Sequence, residues 1–439
     1  MLDSLIAVGG NLLVLALMLP VASLMLAFVL GGRHAERIAL ATLPIGLAVA
    51  VAIAAAVLHG EAPLHTDLGG WAPPLGVALR ADGLSAIMLL TTAVVMVAVG
   101  LFARADFQVP PGTTETRAPF AFWTLLLALW AALNAVFLGE DLFNLYVALE
   151  LLTFAAIPLV CLDGRAQTPA AALRYLVFAL LGSVLYLLGA ALLYGAYGTL
   201  DIGQLAARIG GADPLEPAAL IAAALMTAGL LAKTALFPVH LWLPPAHAGA
   251  PAAASALLSA LAVKASFFLI LRIWFDVMPE LLAQMAAQVL AALGAAAILF
   301  GGVLALRQAR LKMLIAYSTI AQIGYLFLIF PLVATPETAS LAELRHVPGA
   351  WTGGVLQLVS HACAKAAMFM AAGLVAGTLG HDRIQDLGGI GRALPMTVFA
   401  FGIAGMSLMG LPPSGGFMAK WLLLSAAMQC GQWWWMLVI

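Results

Sequence analysis

Stretches of roughly twenty consecutive apolar residues recur from one end of this 439-residue chain to the other. A hydrocarbon layer about 30 Å thick demands a helix of that length. The longest polar gaps, Arg104 to Arg117 and Asp201 to Glu216, are too short to fold as separate soluble domains. Only 9% of the residues are charged, against about 25% in a soluble domain. The runs are continuously apolar rather than alternating, so they are membrane helices and not barrel strands. A net charge of −1 gives no basis for nucleic-acid binding. Cys161, Cys363 and Cys430 lie too far apart to form a metal or disulfide pattern. The first run lacks a basic n-region and is too long for a cleaved signal, so it reads as a retained span.

The hydropathy predicts twelve spans, at 11–30, 38–58, 82–102, 119–138, 142–161, 171–197, 217–237, 251–271, 283–304, 313–332, 351–377 and 395–428. Cationic residues support the count. Arg33, Arg37, Arg104, Arg117, Arg165, Arg174, Arg307, Arg310, Lys312, Arg383 and Arg392 fall in loops on one side; Arg80, Arg208, Arg272 and Arg345 fall on the other. The positive-inside rule assigns the larger set to the cytoplasm and both termini to the outside of an inner (plasma) membrane. Trp433, Trp434 and Trp435 suit an interfacial belt. Met436 to Ile439 are apolar again, so either the protein stops there or further spans follow.

Arginine and lysine are distributed differently. All fourteen arginines are expected in loops or at span ends, whereas four of the five lysines, Lys233, Lys264, Lys365 and Lys420, fall inside apolar runs. Arginine stays charged at any accessible pH, but a lysine taken out of water can release its proton near neutrality. A proton wire needs groups that exist in both states. Charge at a span centre is penalised by several kcal/mol, which makes four lysines without a role expensive. Glu150 is the matching acid, the one carboxylate deep in an apolar run. A carboxylate beside a lysine favours the protonated amine, and separating the two releases the proton. Glu150 with Lys233 is the leading candidate for such a switch. Asp82 stands at the entrance to the third span. His361 precedes Lys365 by four residues, on the same helix face. A single intramembrane lysine commonly snorkels from a span end, an objection that bears most on Lys233 and Lys420.

Two spans are interrupted. Phe237 to Pro251 is a proline-rich break just after Lys233 and contains His240 and His247, each either functional or merely part of the loop. Gly410-Leu-Pro-Pro-Ser-Gly-Gly416 is a second break, just before Lys420. Non-helical backbone at membrane depth is tolerated where it is buried or lines a cavity. A broken helix in each half points to a repeat fold with its ion site at the breaks, although such breaks can also merely shape loops. Inverted repeats of five spans would pair the span of Lys233 with that of Lys420.

Several stretches carry a resemblance. They are Asp141 to Glu150, Ala232 to Pro251, Ser255 to Lys264, Lys312-Met-Leu-Ile-Ala-Tyr-Ser318 with Gly324, His361 to Lys365, Asp386 to Pro395, and Leu411 to Lys420. In these the chain resembles the antiporter-like proton-translocating subunits shared by respiratory complex I and Mrp-type cation/proton antiporters, from about residue 70 onward. The resemblance implies an all-α membrane protein of about twelve spans. It would have an N-terminal three-helix segment (1–118), a first inverted repeat (119–275) and a second (281–439), incomplete because family members usually have fourteen core spans. It implies proton transfer by Glu150, Lys233, Lys264, His361, Lys365 and Lys420; His240, His247 and Asp82 are candidate accessory groups from their positions beside the first break and at the entrance to the third span. Gly69 to Val77 and the Asp141-Leu-Phe-Asn run lean toward the Mrp branch; complex I is the alternative. Haem, iron–sulfur and nucleotide motifs are missing from the sequence, and no metal or cofactor is expected. Energy would then come from partner membrane subunits or from an ion gradient, with sodium as a candidate ion. Rival classes are a stand-alone transporter of a small anion bound by the lysines, and an assembly subunit whose lysines pair with partner acids.

Overall fold

The computed structural model describes residues 2–60, 62–108, 116–166, 168–210, 216–279, 281, 285–333 and 349–439; Arg345 lies outside them. The chain packs as two compact units, Met1–Leu230 and Leu231–Ile439. The fold is an all-α multi-span membrane fold. Among the described residues, eleven helices are long and apolar enough to cross a bilayer.

The first unit opens with α1 (Leu2–Leu30) and α2 (Gly32–His59). A two-stranded antiparallel hairpin follows, β1 (Leu64–Asp67) and β2 (Ala78–Ala81), which hydropathy did not anticipate. Then come α3 (Gly83–Asp106), α4 (Arg117–Leu138), α5 (Leu142–Val160), α6 (Thr168–Tyr197), the short α7 (Ile202–Ile209) and the start of α8 (Pro217–Thr234). Aspartates start three of these helices: Asp82, Asp141 and Asp201 accept from the backbone N–H groups of Ser85, of Phe143 and Asn144, and of Gln204. Each satisfies donors that the first helical turn leaves unpaired. Pro20 has no N–H to offer the carbonyl of Ala16 in the turn before it. Asn134 of α4 donates to that carbonyl at 2.7 Å and so ties α4 to α1. Arg80 of the hairpin pairs with the buried Glu140 at 3.0 Å.

The second unit holds α9 (Leu243–Gly249), α10 (Ala252–Val277), α11 (Met285–Leu306), α12 (Leu311–Leu326, resuming as Ile329–Val333), α13 (Ala350–Leu379), α14 (Pro395–Met409) and α15 (Gly415–Gln429). α10 is buried along nearly its whole length and contains two π-helical turns, Leu258–Ala262 and Ile273–Val277. α11 and α12 meet backbone to backbone. A Cβ on Gly294 would lie 2.6 Å from the carbonyl oxygen of Gly324, and one on Gly324 would lie 2.3 Å from that of Gly294. Small residues permit such approaches between membrane helices.

The helices match the hydropathy spans, except that 395–428 is the pair α14 and α15 and that α9 forms within the first break. Two cations sit otherwise than expected. Arg272 is not in a loop: α10 continues past it, and it is buried, paired with Asp276 at 2.7 Å and set over the ring of Phe268. A buried arginine is tolerable there because its charge is matched one turn later. Lys312, expected in a cationic loop, is buried in the first turn of α12 and donates to the Ala250 carbonyl at 2.9 Å. A clasp fixes that turn: Asp382 accepts from Arg310 Nε at 2.8 Å, and the Asp382 carbonyl accepts from the Leu311 N–H at 2.8 Å.

The two breaks are built alike. At the first, Ala235 takes a left-handed conformation (φ 60) and the Leu236 N–H returns to the carbonyl of Leu231, five residues back. At the second, Gly410 is left-handed (φ 79) and the Leu411 N–H returns to the carbonyl of Met406. This is the Schellman ending of a helix. It satisfies some terminal carbonyls and leaves others for side chains.

Candidate functional site

The buried polar groups of the second unit gather along α10, α12 and α13. Lys264, Lys365, His247 and His361 are each 0% exposed. Lys264 follows a π-helical turn and folds back so that its Nζ donates to the carbonyl of Ser259. Such turns shift backbone carbonyls out of the regular ladder and recur at functional sites. The Ser259 hydroxyl lies 3.0 Å from that of Thr319 on α12. Thr319 in turn donates to the Ile315 carbonyl at 2.9 Å. Lys365 of α13 donates to the same carbonyl at 3.0 Å, and to the Ser318 hydroxyl. These hydroxyls and carbonyls line the gap between the two lysines; the Ser259 and Ile315 carbonyls that hold the amines carry no proton of their own, so the hydroxyls are the groups there that can pass one on.

The acceptors are all neutral; neither Lys264 nor Lys365 has a carboxylate partner among the described residues. A charged ammonium and a neutral amine both carry hydrogens to donate, so either protonation state can keep these bonds. The two lysines act electrostatically on both imidazoles, those of His247 and His361. None of the four ring nitrogens has a protein hydrogen-bond partner. The unprotonated nitrogen of each neutral ring can therefore accept a proton without breaking an existing bond to the protein. The His247 ring is fixed edge-on against Phe369 at 5.6 Å and near Trp242 at 6.5 Å. Gln357, His361, Lys365 and Phe369 repeat every four residues and form one stripe of α13.

Lys420 of α15 sits beside the second break. Its Nζ donates to the Leu408 carbonyl at 3.1 Å and lies 4.2 Å from the centre of the Tyr325 ring. A cation over an aromatic face is stabilised by the ring quadrupole, and one at a helix C-terminus by the helix dipole. Gln322 donates to the same Leu408 carbonyl at 3.0 Å, and Gln357 donates to the Gln322 amide oxygen at 2.8 Å. Gly410 takes its left-handed angle without the cost an L-residue such as Ala235 carries, and a Cβ there would press on the Lys420 chain at 2.8 Å.

The remaining candidates have their own surroundings. Lys233 is buried in the last turn of α8; the adjoining Thr234 donates to Ser266 of α10 at 3.0 Å. His240 is buried against Phe237 and Phe300, its Nδ1 without a partner. In the first unit, Glu150 accepts from the Ser183 hydroxyl and acts electrostatically on the buried Tyr175. Asp82 serves as the N-cap of α3. The linking groups Ser259, Ser318, Thr319, Gln322 and Gln357 were missed by sequence reasoning. Only the spacing of Gln357 four residues before His361 signalled one of them.

The transmembrane family model described as NADH:quinone oxidoreductase/Mrp antiporter matches residues 139–439. The NADH-quinone oxidoreductase subunit N of Desulforudis audaxviator is 36% identical over 393 residues, covering 88% of this chain and 73% of that protein. A Na(+)/H(+) antiporter subunit of Bacillus subtilis is 29% identical over 354 residues, covering 81% of this chain and 68% of that protein. A chain of the Mrp complex from Dietzia sp. DQ12-45-1b superposes with a TM-score of 0.87 at 30% identity, covering 98% of this chain and 76% of that one. This chain belongs to the NADH:quinone oxidoreductase/Mrp antiporter transmembrane family.

Proposed function

We propose that this chain is the proton-conducting, antiporter-like subunit of a hetero-oligomeric complex in an inner (plasma) membrane, and that the complex is an Mrp-type monovalent cation/proton antiporter. The observation that carries the reading is the joined pair Lys264 and Lys365, fully buried and held by neutral acceptors that suit both protonation states. Protons enter a half-channel, pass Lys233 and Lys264, cross by His361 and Lys365 through ordered water, and leave near Lys420. His240 and His247 act as accessory groups. Glu150 gates release from Lys233, a role that rests on their types and positions in the sequence. The shared build of the two breaks supports a repeat organisation of 1–118, 119–275 and 281–439. The 36% identity to a subunit N supports a second reading, a complex I-like energy-coupled oxidoreductase in which partner subunits carry the redox chemistry.

The test is Lys365→Ala in the assembled complex, with acidification of inverted membrane vesicles read by a pH-sensitive dye. Loss of driven proton movement with full assembly is expected. Lost assembly with normal flux in the complexes that do form would identify an assembly subunit. Transport of a small anion by the purified chain alone would favour the stand-alone carrier.

A further inference from the structure

The stretch between Lys365 and Lys420 differs chemically from the stretch between Lys264 and Lys365. Hydroxyls take part in the latter. The former runs through two amides and a backbone carbonyl; a hydroxyl pair beside it, Ser360 with Ser407 at 2.8 Å, ties α13 to α14 but is bonded to neither Lys365 nor Lys420 among the described residues. The helix ending of α14 explains the carbonyl: the Leu411 and Gly410 N–H groups return to the carbonyls of Met406 and Ser407, which leaves that of Leu408 to side chains. Lys420 and Gln322 both donate to it, at 3.1 and 3.0 Å, so both lone pairs of the oxygen are engaged. Gln357 donates to Gln322 at 2.8 Å, on the α13 stripe that carries His361 and Lys365. Gln322 and Gln357 are 8% and 1% exposed, enclosed by the packed helices.

A primary amide neither gains nor loses a proton at accessible pH, and a carbonyl has none to pass on. The amide donors all point the same way, from Gln357 to Gln322 to Leu408. No member of this bridge can take a proton from one neighbour and deliver another to the next. We infer that the Gln322–Gln357 amide pair is a gate that insulates Lys420 from Lys365 and His361, and that protons reach Lys420 only when the pair parts. The inference rests on the proton-conducting reading above and adds to it the point at which the row is interrupted. A gate is what coupling requires. A row open along its whole length would leak protons down their gradient without doing work.

The test replaces either amide with its titratable isostere, Gln322→Glu or Gln357→Glu, in the assembled complex reconstituted into liposomes. Passive proton entry is followed after an imposed pH step with no driving ion or electron donor. A several-fold rise in leak is expected from each variant, abolished when Lys365→Ala is added. The second position serves should the first variant not assemble. Wild-type leak from assembled Gln322→Glu and Gln357→Glu complexes overturns the gate, and leaves the conducting reading standing if Lys365→Ala alone still stops driven transport. A raised leak that persists in the Lys365→Ala background also overturns the gate, because those protons do not pass from Lys365.

Discussion

A lysine amine is useful in this interior because it can be present with or without its extra proton while keeping its neighbours. Lys264 and Lys365 lean on carbonyl and hydroxyl oxygens, not on carboxylates, so neither state leaves a strong partner stranded. Arg272 shows the contrasting solution: a permanent charge in the same helix as Lys264 is matched by Asp276 and covered by Phe268. Removing one member of a buried ion pair leaves the other uncompensated, typically at about 3–5 kcal/mol. Asp276→Ala is therefore expected to lower the melting temperature of the complex sharply. An unchanged melting curve would mean that the pair is hydrated. Asp82→Ala removes an N-cap and is expected to lower stability by about 0.5–2 kcal/mol while leaving proton flux per assembled complex unchanged. A flux defect without loss of stability would move Asp82 from the structural to the conducting groups.

At the scale of elements, α12 is the member on which the row depends. It supplies Ile315 and Ser318 to Lys365, Tyr325 to Lys420, Thr319 to Ser259 of α10, and Gln322 to the Leu408 carbonyl and Gln357. Its position is fixed on one side by the Gly294–Gly324 contact with α11 and at its start by the Asp382 clasp. Gly324→Ala would force the two backbones apart, and overpacking of this kind destabilises by roughly 1–3 kcal/mol. The expected result is a lower melting temperature together with reduced proton flux, since Thr319 and Gln322 would shift with the helix. Normal flux would mean that the polar links tolerate displacement. Ala235 holds a left-handed backbone that costs an L-residue roughly 1–2 kcal/mol. Ala235→Gly relieves that cost, and a modest rise in melting temperature is expected, with a fall contradicting the assignment of strain.

For the molecule as a whole, the hydropathy and the positions of the prolines and glycines made most of the architecture legible. Runs of about twenty apolar residues read as spans, and the clustered prolines and glycines after Phe237 and Leu411 read as their interruptions, whereas the lone Pro20 stays within α1. The lysines were legible as well, because a charge inside such a run is rare. The hydroxyl and amide links were not. Serine, threonine and glutamine occur on lipid-facing and buried helix faces alike, and only packing reveals that Thr319 meets Ser259 or that Gln357 meets Gln322. The length of α10 was misjudged because Arg272 reads as a terminus unless its pairing with Asp276 is known. The host complex is read out by ion dependence. Addition of sodium to inverted vesicles carrying an imposed proton gradient should dissipate the gradient for an Mrp-type host. Dissipation should be missing in the complex I-like alternative.

Titration of the buried amines is the point on which the proposed conduction turns, and Lys264→Arg probes it most directly because charge is kept while the ability to release a proton is lost. Proton flux should be measured in assembled complexes carrying Lys264→Arg beside wild type, with assembly checked on the same membranes. The expected result is loss of flux at normal assembly, as severe as that of Lys264→Ala. Wild-type flux through the arginine variant would show that Lys264 contributes only a fixed charge, and proton transfer by this lysine would be contradicted.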